Sequence, residues 1–254
     1  MSRARTPRLG QHLLRNPAIS AKVADAAGVG QGTRVLEVGP GKGALTAELL
    51  ARGARVIAVE KDPRMVEILR AEFTDALSSR ALTLVSGDMR DHTPDSLMDD
   101  GPYVVAANIP YYITGELIRT FLTAAHQPRA VALLVQKEVA ERIARSAKES
   151  ILSLSVKAYG MPKYVATVKR GNFSPPPRVD SAILAITDIS RDRFTAVSEE
   201  RFFRVIKAGF AQKRKTLAGN LERALGDSLG VPPHIRAEDV PLSAWFATAA
   251  RLTH

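Results

Sequence analysis

The chain of 254 residues contains no cysteine, which excludes a disulfide framework and a thiolate metal site alike. Its five histidines, at 12, 92, 126, 234 and 254, are scattered without metal-ligand spacing, so no metal is expected. There is no internal repeat and no low-complexity tract. No uncharged apolar run reaches the roughly 18 residues of a membrane span, and "MSRARTPRLGQHLL" lacks the apolar segment of a secretory signal. A soluble, cytoplasmic protein without a membrane partner is expected. Acids are the minority, 26 against 36 Lys and Arg, with a sequence pI near 10.1. That excess points to a polyanionic partner, nucleic acid ahead of an anionic membrane.

With 45% hydrophobic residues, the chain can bury one large core, or a large and a small one. From residue 33, β-branched runs ("TRVLEVG", "RVIAVE", "LTLVSGD", "YVVAAN", "AVALLVQ") alternate with amphipathic stretches such as "ALTAELLARG" and "GELIRTFLTAA". This alternation predicts an α/β fold with a parallel sheet covered on both faces. Beyond about 160, "KYVATVKR" and "RVDSAILAIT" bracket the stiff proline loop "FSPPPR" with no helix between, which predicts an antiparallel pair at one edge. From about 189 the strand signal disappears, and "EERFFRVIKAGF", "KRKTLAGNLERAL" and "PLSAWFATAARL" repeat at helical spacing. The expected organisation is a larger domain over 1–188, with an N-terminal arm over 1–20, and a small helical domain over 189–254.

"VLEVGPGKGALT" passes from a strand into a helix through Gly39, Gly41 and Gly43. Glycines allow a tight turn and close approach of a ligand, and the helix that follows offers free N–H groups. Gly39, Gly41 and Ala44 also satisfy the dinucleotide fingerprint, with Glu60 about 20 residues on at the end of the next strand. The turn alone therefore serves NAD as well as S-adenosylmethionine. Glu37 before the turn and Asp88 in "VSGDMR" shift the balance, because three carboxylates around one ligand suit a sulfonium with an ammonium group better than a diphosphate.

"YVVAAN" ends a predicted strand at the same edge, and "AANIPYYIT" follows. Pro110 fixes its own φ and biases Ile109 to an extended form. The Asn108 side-chain oxygen and the Ile109 carbonyl then make a rigid pair of acceptors suited to the two protons of an exocyclic amine. Tyr111 offers a face on which an extruded base can stack. Tyr112 has no expected role beyond packing.

These motifs together resemble the adenine dimethyltransferases of ribosomal RNA, and the small-subunit branch above all. The likeness runs over nearly the whole chain through "GQHLL", "LEVGPGKGALT", "VIAVEKD", "SGDMRD", "ANIPYYIT", "LLVQKEVAERI", "GNFSPPPRVDSA" and "FAQKRKTLAGNL". Ile109 and Tyr112 depart from the commoner Asn-Leu-Pro-Tyr-Asn, and Ile at 109 is typical of the large-subunit, antibiotic-resistance branch.

The resemblance implies a Rossmann-like class I methyltransferase sheet, mostly parallel with an antiparallel edge hairpin, and a C-terminal all-helical domain. It implies S-adenosyl-L-methionine held by Gln11, His12 and Leu13 of the arm and by Glu37, Gly39 and Gly41 of the turn. Glu60, Lys61, Asp88, Met89 and Asn108 complete that set. The reacting group comprises Asn108, Ile109, Pro110 and Tyr111, with Phe173 closing a sandwich on the base. Arg201, Arg204 and Lys207, with Lys213, Arg214 and Lys215, form a basic helical surface suited to RNA phosphates. The implied activity of such a chain, as a monomer, is dimethylation of adjacent adenosines in a hairpin near the 3′ end of small-subunit RNA in an assembling subunit. The alternatives are a large-subunit enzyme of the resistance type and a non-catalytic assembly factor on the same fold.

Overall fold

The computed structural model describes residues 12–252. Among them nine strands follow one another: β1 (Leu13–Leu14), β2 (Arg34–Val38), β3 (Arg55–Glu60), β4 (Leu82–Ser86), β5 (Tyr103–Asn108), β6 (Ala130–Gln136), β7 (Met161–Val168), β8 (Phe173–Ser174) and β9 (Ser181–Thr187). Seven form one sheet in the order β4-β3-β2-β5-β6-β9-β7, while β1 and β8 make a separate two-stranded ladder. β2 to β6 run parallel and β9 is antiparallel to β6. The expected mostly parallel sheet with an antiparallel edge is what forms. Burial explains the placement: β6 is buried from Ala130 through Val135, as a strand covered on both faces must be. β7 buries only Tyr164 and Val168, which suits the edge.

Local chemistry starts the helices. Asn16 accepts from Ala18 N–H at 3.1 Å before Pro17, and Asp62 accepts from Arg64 N–H at 3.0 Å before Pro63. A capping side chain followed by proline at the first helical position satisfies one orphan donor and removes another.

The chain divides into two compact units, one of residues up to Ala140 with Lys163–Thr187, the other of Glu141–Pro162 with the chain from Asp188 onward. In the first, the helices Pro17–Ala26 and Ala44–Ala51 pack Val23 and Leu49 with Val35, Ala106 and Leu134 of the sheet. In the second, Leu154 and Ala158 of the helix Ile151–Tyr159 join a core with Phe202, Leu221 and Trp245. Phe202 stacks on Phe246 at 4.2 Å, and the buried Trp245 donates its indole N–H to the Val240 carbonyl at 3.1 Å.

Candidate active site

β3 and β4 are added on one side of β2, after which the chain crosses back to lay β5 on the other. Such a reversal leaves a crevice at the carboxyl ends of the strands. Gly39 follows β2, Glu60 closes β3 and Asn108 closes β5, and all three line one cleft together with Asp88, Met89 and Tyr111.

The turn after β2 needs its glycines. Gly39 and Gly41 have φ of +68° and +59°, where an L side chain is strained. A Cβ on Gly41 would also stand 2.6 Å from Cδ2 of Leu13. Glu60 anchors the turn from below: Gly41 N–H donates to its Oε2 at 2.9 Å and Asp62 N–H to its Oε1 at 2.8 Å. Burial raises the Glu60 pKa, and the backbone donors of Asp62 and Gly41 work against that rise. Across the cleft, the Arg90 guanidinium, aided by the Lys61 ammonium, holds the Asp88 carboxyl well below the usual carboxylate range despite partial burial. Both cations lie 2.7 Å from Asp88 Oδ2, so the cleft keeps one fixed anion at its wall.

Asn108 divides its amide between two directions. Its Nδ2 donates to the His12 carbonyl at 2.9 Å, and no described residue donates to Oδ1, which leaves that oxygen as the acceptor for the cleft. The Ile109 carbonyl receives no donor from the described residues either. Pro110, with φ −57° and ψ 134°, carries the chain into a short 3-10 turn, Tyr111–Ile113. The Tyr111 hydroxyl shares a 2.6 Å hydrogen bond with that of the fully buried Ser181 on β9. Burial raises the Tyr111 pKa, so the phenol is neutral. His12 closes this side: its Nδ1 lies 2.8 Å from the Pro175 carbonyl, and its ring centroid 5.8 Å from that of Tyr111. The arm residues narrow the cleft, in which about 70 Å³ remains.

Comparison with known proteins assigns this arrangement. The profile of the family described as ribosomal RNA adenine dimethylase matches residues 2–231. A ribosomal RNA small subunit methyltransferase A from Dehalococcoides mccartyi is 40% identical over 249 residues, covering 93% of this chain and 84% of that protein. One from Deinococcus radiodurans is 39% identical over 260 residues, covering 97% and 85%. The chain belongs to the ribosomal RNA adenine dimethylase family. Two solved structures share its architecture. A dimethyladenosine transferase from Plasmodium falciparum aligns with a TM-score of 0.76 at 26% identity, covering 93% of this chain and 96% of that one. The 23S rRNA methyltransferase ErmE aligns at 0.73 and 25%, covering 95% and 100%.

As a member of this family the chain is an S-adenosyl-L-methionine-dependent adenine dimethyltransferase, and the cleft fits that cofactor: a glycine cradle that a Cβ would obstruct, faced by two carboxylates. Most residues expected from the sequence meet here: His12, Leu13, Gly39, Gly41, Glu60 and Lys61 line the cleft, as do Asp88, Met89 and Asn108 to Tyr111. Gln11 lies outside the described residues.

Two expected residues are not brought to the cleft. Glu37 is buried behind the turn at 1% exposure, accepting from the Thr46 hydroxyl at 2.7 Å. It faces an adjoining space of about 20 Å³ that has Leu13, Gly39 and Asn108 in common with the cleft. Burial pushes its pKa up to about 8. Phe173 is 3% exposed, packs in the core as the register partner of Leu14, and is not among the residues that line the cleft. Tyr112, given only a packing role by the sequence, lines the cleft at 66% exposure. Successive side chains of a 3-10 turn diverge by about 120°, so Tyr112 stands exposed while the Tyr111 hydroxyl is held by Ser181.

In the helical unit, Arg201, Arg204 and Lys207 recur every three residues along the helix Glu199–Gly209, and Lys213, Arg214 and Lys215 stand exposed in the loop that follows.

Proposed function

We propose that this chain dimethylates the N6 amines of adjacent adenosines in a hairpin near the 3′ end of small-subunit ribosomal RNA, acting as a cytoplasmic monomer on an assembling subunit. Relatives named as small subunit methyltransferases at 35–40% identity support the choice of RNA. The large-subunit alternative has the weaker support of ErmE at 25%.

The observation that carries the chemistry is the divided Asn108 amide, whose Nδ2 is committed to His12 and whose Oδ1 is left to accept. Gly39, Gly41, Glu60, Asp88 and Met89 would hold S-adenosyl-L-methionine, with His12 and Leu13 over it. When bound, the cofactor supplies a methyl group already activated on a sulfonium. The residues of the chain need only position and polarise the amine, whose lone pair is delocalised into the ring. Asn108 Oδ1 and the Ile109 carbonyl accept hydrogen bonds from its two N–H groups, which favours a pyramidal nitrogen and frees the lone pair; the nitrogen, cationic once methylated, would release one of those protons to water. Both acceptors are fixed beforehand, Asn108 by His12 and Ile109 by Pro110, so they need no reorganisation as positive charge develops on the amine. Tyr111, its hydroxyl held by Ser181, presents a ring to the base. No ionised base in the cleft is required.

Methyl transfer from labelled S-adenosyl-L-methionine to immature small subunits, run beside protein-free large-subunit RNA, tests this reading. Labelling of the small-subunit RNA is expected; labelling of the large-subunit RNA alone contradicts it. A folded protein that shows no cofactor binding by calorimetry would instead favour the non-catalytic assembly factor.

A further inference from the structure

The helical unit contains a cavity of about 440 Å³ whose lining includes Arg142, Lys148, Phe210, Lys213, Lys215 and Arg236. Every described residue of its wall belongs to this unit, and the volume is that of a pocket for one small ligand.

Its charge is one-sided. The wall carries two acids, Glu149 and Glu238, and each is already matched: Lys157 lies 2.6 Å from Glu149, and Lys148 pairs with Glu238. Lys213, Lys215 and Arg236 stand exposed and make no ion pair within 4.0 Å among the described residues, although Lys213 and Arg236 lie near enough to Glu238 to help lower its pKa. Five cations against two acids around one concave surface concentrate positive potential there and select an anion. A guanidinium and two ammonium groups match the oxygens of phosphate.

The walls are tied in place without a ligand. The Lys148–Glu238 pair, together with Glu149 N–H donating to the Glu238 carbonyl at 2.7 Å, bridges two segments of the rim. The buried Asn220 donates its Nδ2 to the carbonyls of Gly209 at 2.6 Å and Gln212 at 3.1 Å. This pins the loop that carries Phe210 and leads to Lys213. Phe210 is half-buried, and its ring is backed by Trp245 at 5.5 Å and 19°. A rigid aromatic beside an excess of cations is the combination that holds an unpaired nucleotide, the ring against the base and the cations on the phosphates.

We propose that this cavity is a second RNA subsite, taking one unstacked nucleotide of the substrate RNA with its flanking phosphodiesters, separate from the cleft that performs methyl transfer. The inference rests on the chain's acting on RNA. It adds Arg142, Lys148, Phe210 and Arg236 to the RNA-contacting surface and makes part of that surface a pocket.

The test is the triple variant Lys213→Gln, Lys215→Gln, Arg236→Gln, assayed as the full chain with S-adenosyl-L-methionine and immature small subunits. All three side chains are exposed, and cofactor affinity by calorimetry checks the fold. The expected result is a KM for RNA raised roughly tenfold or more with kcat changed less than about twofold. The slope of log Kd for RNA against log salt should flatten by about two, as three phosphate contacts are lost. An unchanged KM and salt slope, in a variant that binds cofactor normally, overturns the subsite while leaving the catalytic reading intact. Absence of methyl transfer by the wild-type chain overturns the catalytic reading instead. A free nucleotide is the rival source of phosphate. Saturable binding of adenosine monophosphate that is lost in the triple variant, with the KM for RNA unmoved, assigns the cavity to that source and contradicts the proposal.

Discussion

Asn108 Nδ2 is spent on the His12 carbonyl, so the value of this residue to the reaction lies in one oxygen. Asn108→Ala should lower kcat by roughly 10²–10³-fold, the scale for losing one pre-organised partner of developing charge, and change cofactor affinity little. A loss confined to KM in steady-state assays would count against the role. At Tyr111 the ring and the hydroxyl can be separated. Tyr111→Ala should cost roughly ten- to a hundredfold in kcat/KM, from the ~1–3 kcal/mol of base stacking. Tyr111→Phe keeps the ring and strands the Ser181 hydroxyl, so it should show mainly as ~1–3 kcal/mol of lost stability. Equal kinetic damage from both changes would mean that the hydroxyl, and not the ring, matters.

Glu37 supplies a pH signature. Its folded pKa of about 8 lies above the usual 4.5, so the native state keeps a proton that the unfolded chain releases. Stability from this group is therefore complete in acid and is lost as pH rises from about 4.5 to about 8. Glu37→Gln should gain in Tm relative to wild type on going from about pH 5 to about pH 8.5; a constant difference across that range would contradict the assignment. The sequence showed that Glu37 stands beside the turn but not which way it points. Strand alternation sets that direction, and β2 is buried on both faces. The stacking role expected of Phe173 came from the resemblance, because a phenylalanine beside prolines looks alike in a cleft and in a core; the structure holds it buried.

At the level of elements, the parallel strands were legible because each is a short apolar run closed by a polar residue or glycine. The edge hairpin was legible from the proline loop. The insertion of β9 between β6 and β7 depends on pairing partners far apart in sequence, which no local pattern records. The same holds for the helix Ile151–Tyr159, whose buried residues Leu154 and Ala158 reveal nothing locally of the aromatic core they join. The arm makes a testable element. β1 pairs with β8, Leu13 opposite Ser174, and Leu13 leans on the glycine turn. The roughly 70 Å³ left in the cleft is below the ~300 Å³ of ordinary ligand pockets, which predicts that the arm shifts when the cofactor enters. In a chain without native cysteine, Leu13→Cys with Ser174→Cys places two thiols at register positions whose Cα spacing in antiparallel ladders suits a disulfide. Oxidation should slow cofactor association roughly tenfold or more by stopped-flow, because binding that needs a conformational change is slowed when the change is blocked. Reductant should restore it. Identical association rates in the two redox states would show that the cofactor enters without the arm moving.

Over the whole molecule, a net charge of +10 draws RNA to the chain, and the cleft decides what happens to it. The basic balance was legible from composition; the enclosure of part of it in a cavity of the helical unit was not, since Lys148, Lys213 and Arg236 meet only through tertiary structure. Dimethylation of adenine N6 on small-subunit RNA is proposed to depend on Asn108 and its neighbours. This dependence is tested most directly by incubating immature small subunits with S-adenosyl-L-methionine and either the wild-type chain or Asn108→Ala, then mapping modified nucleotides by mass spectrometry. The wild-type chain should leave two adjacent N6,N6-dimethyladenosines near the 3′ end, and the variant neither. Dimethyladenosine elsewhere, a monomethylated end product, or full modification by the variant would contradict the proposal.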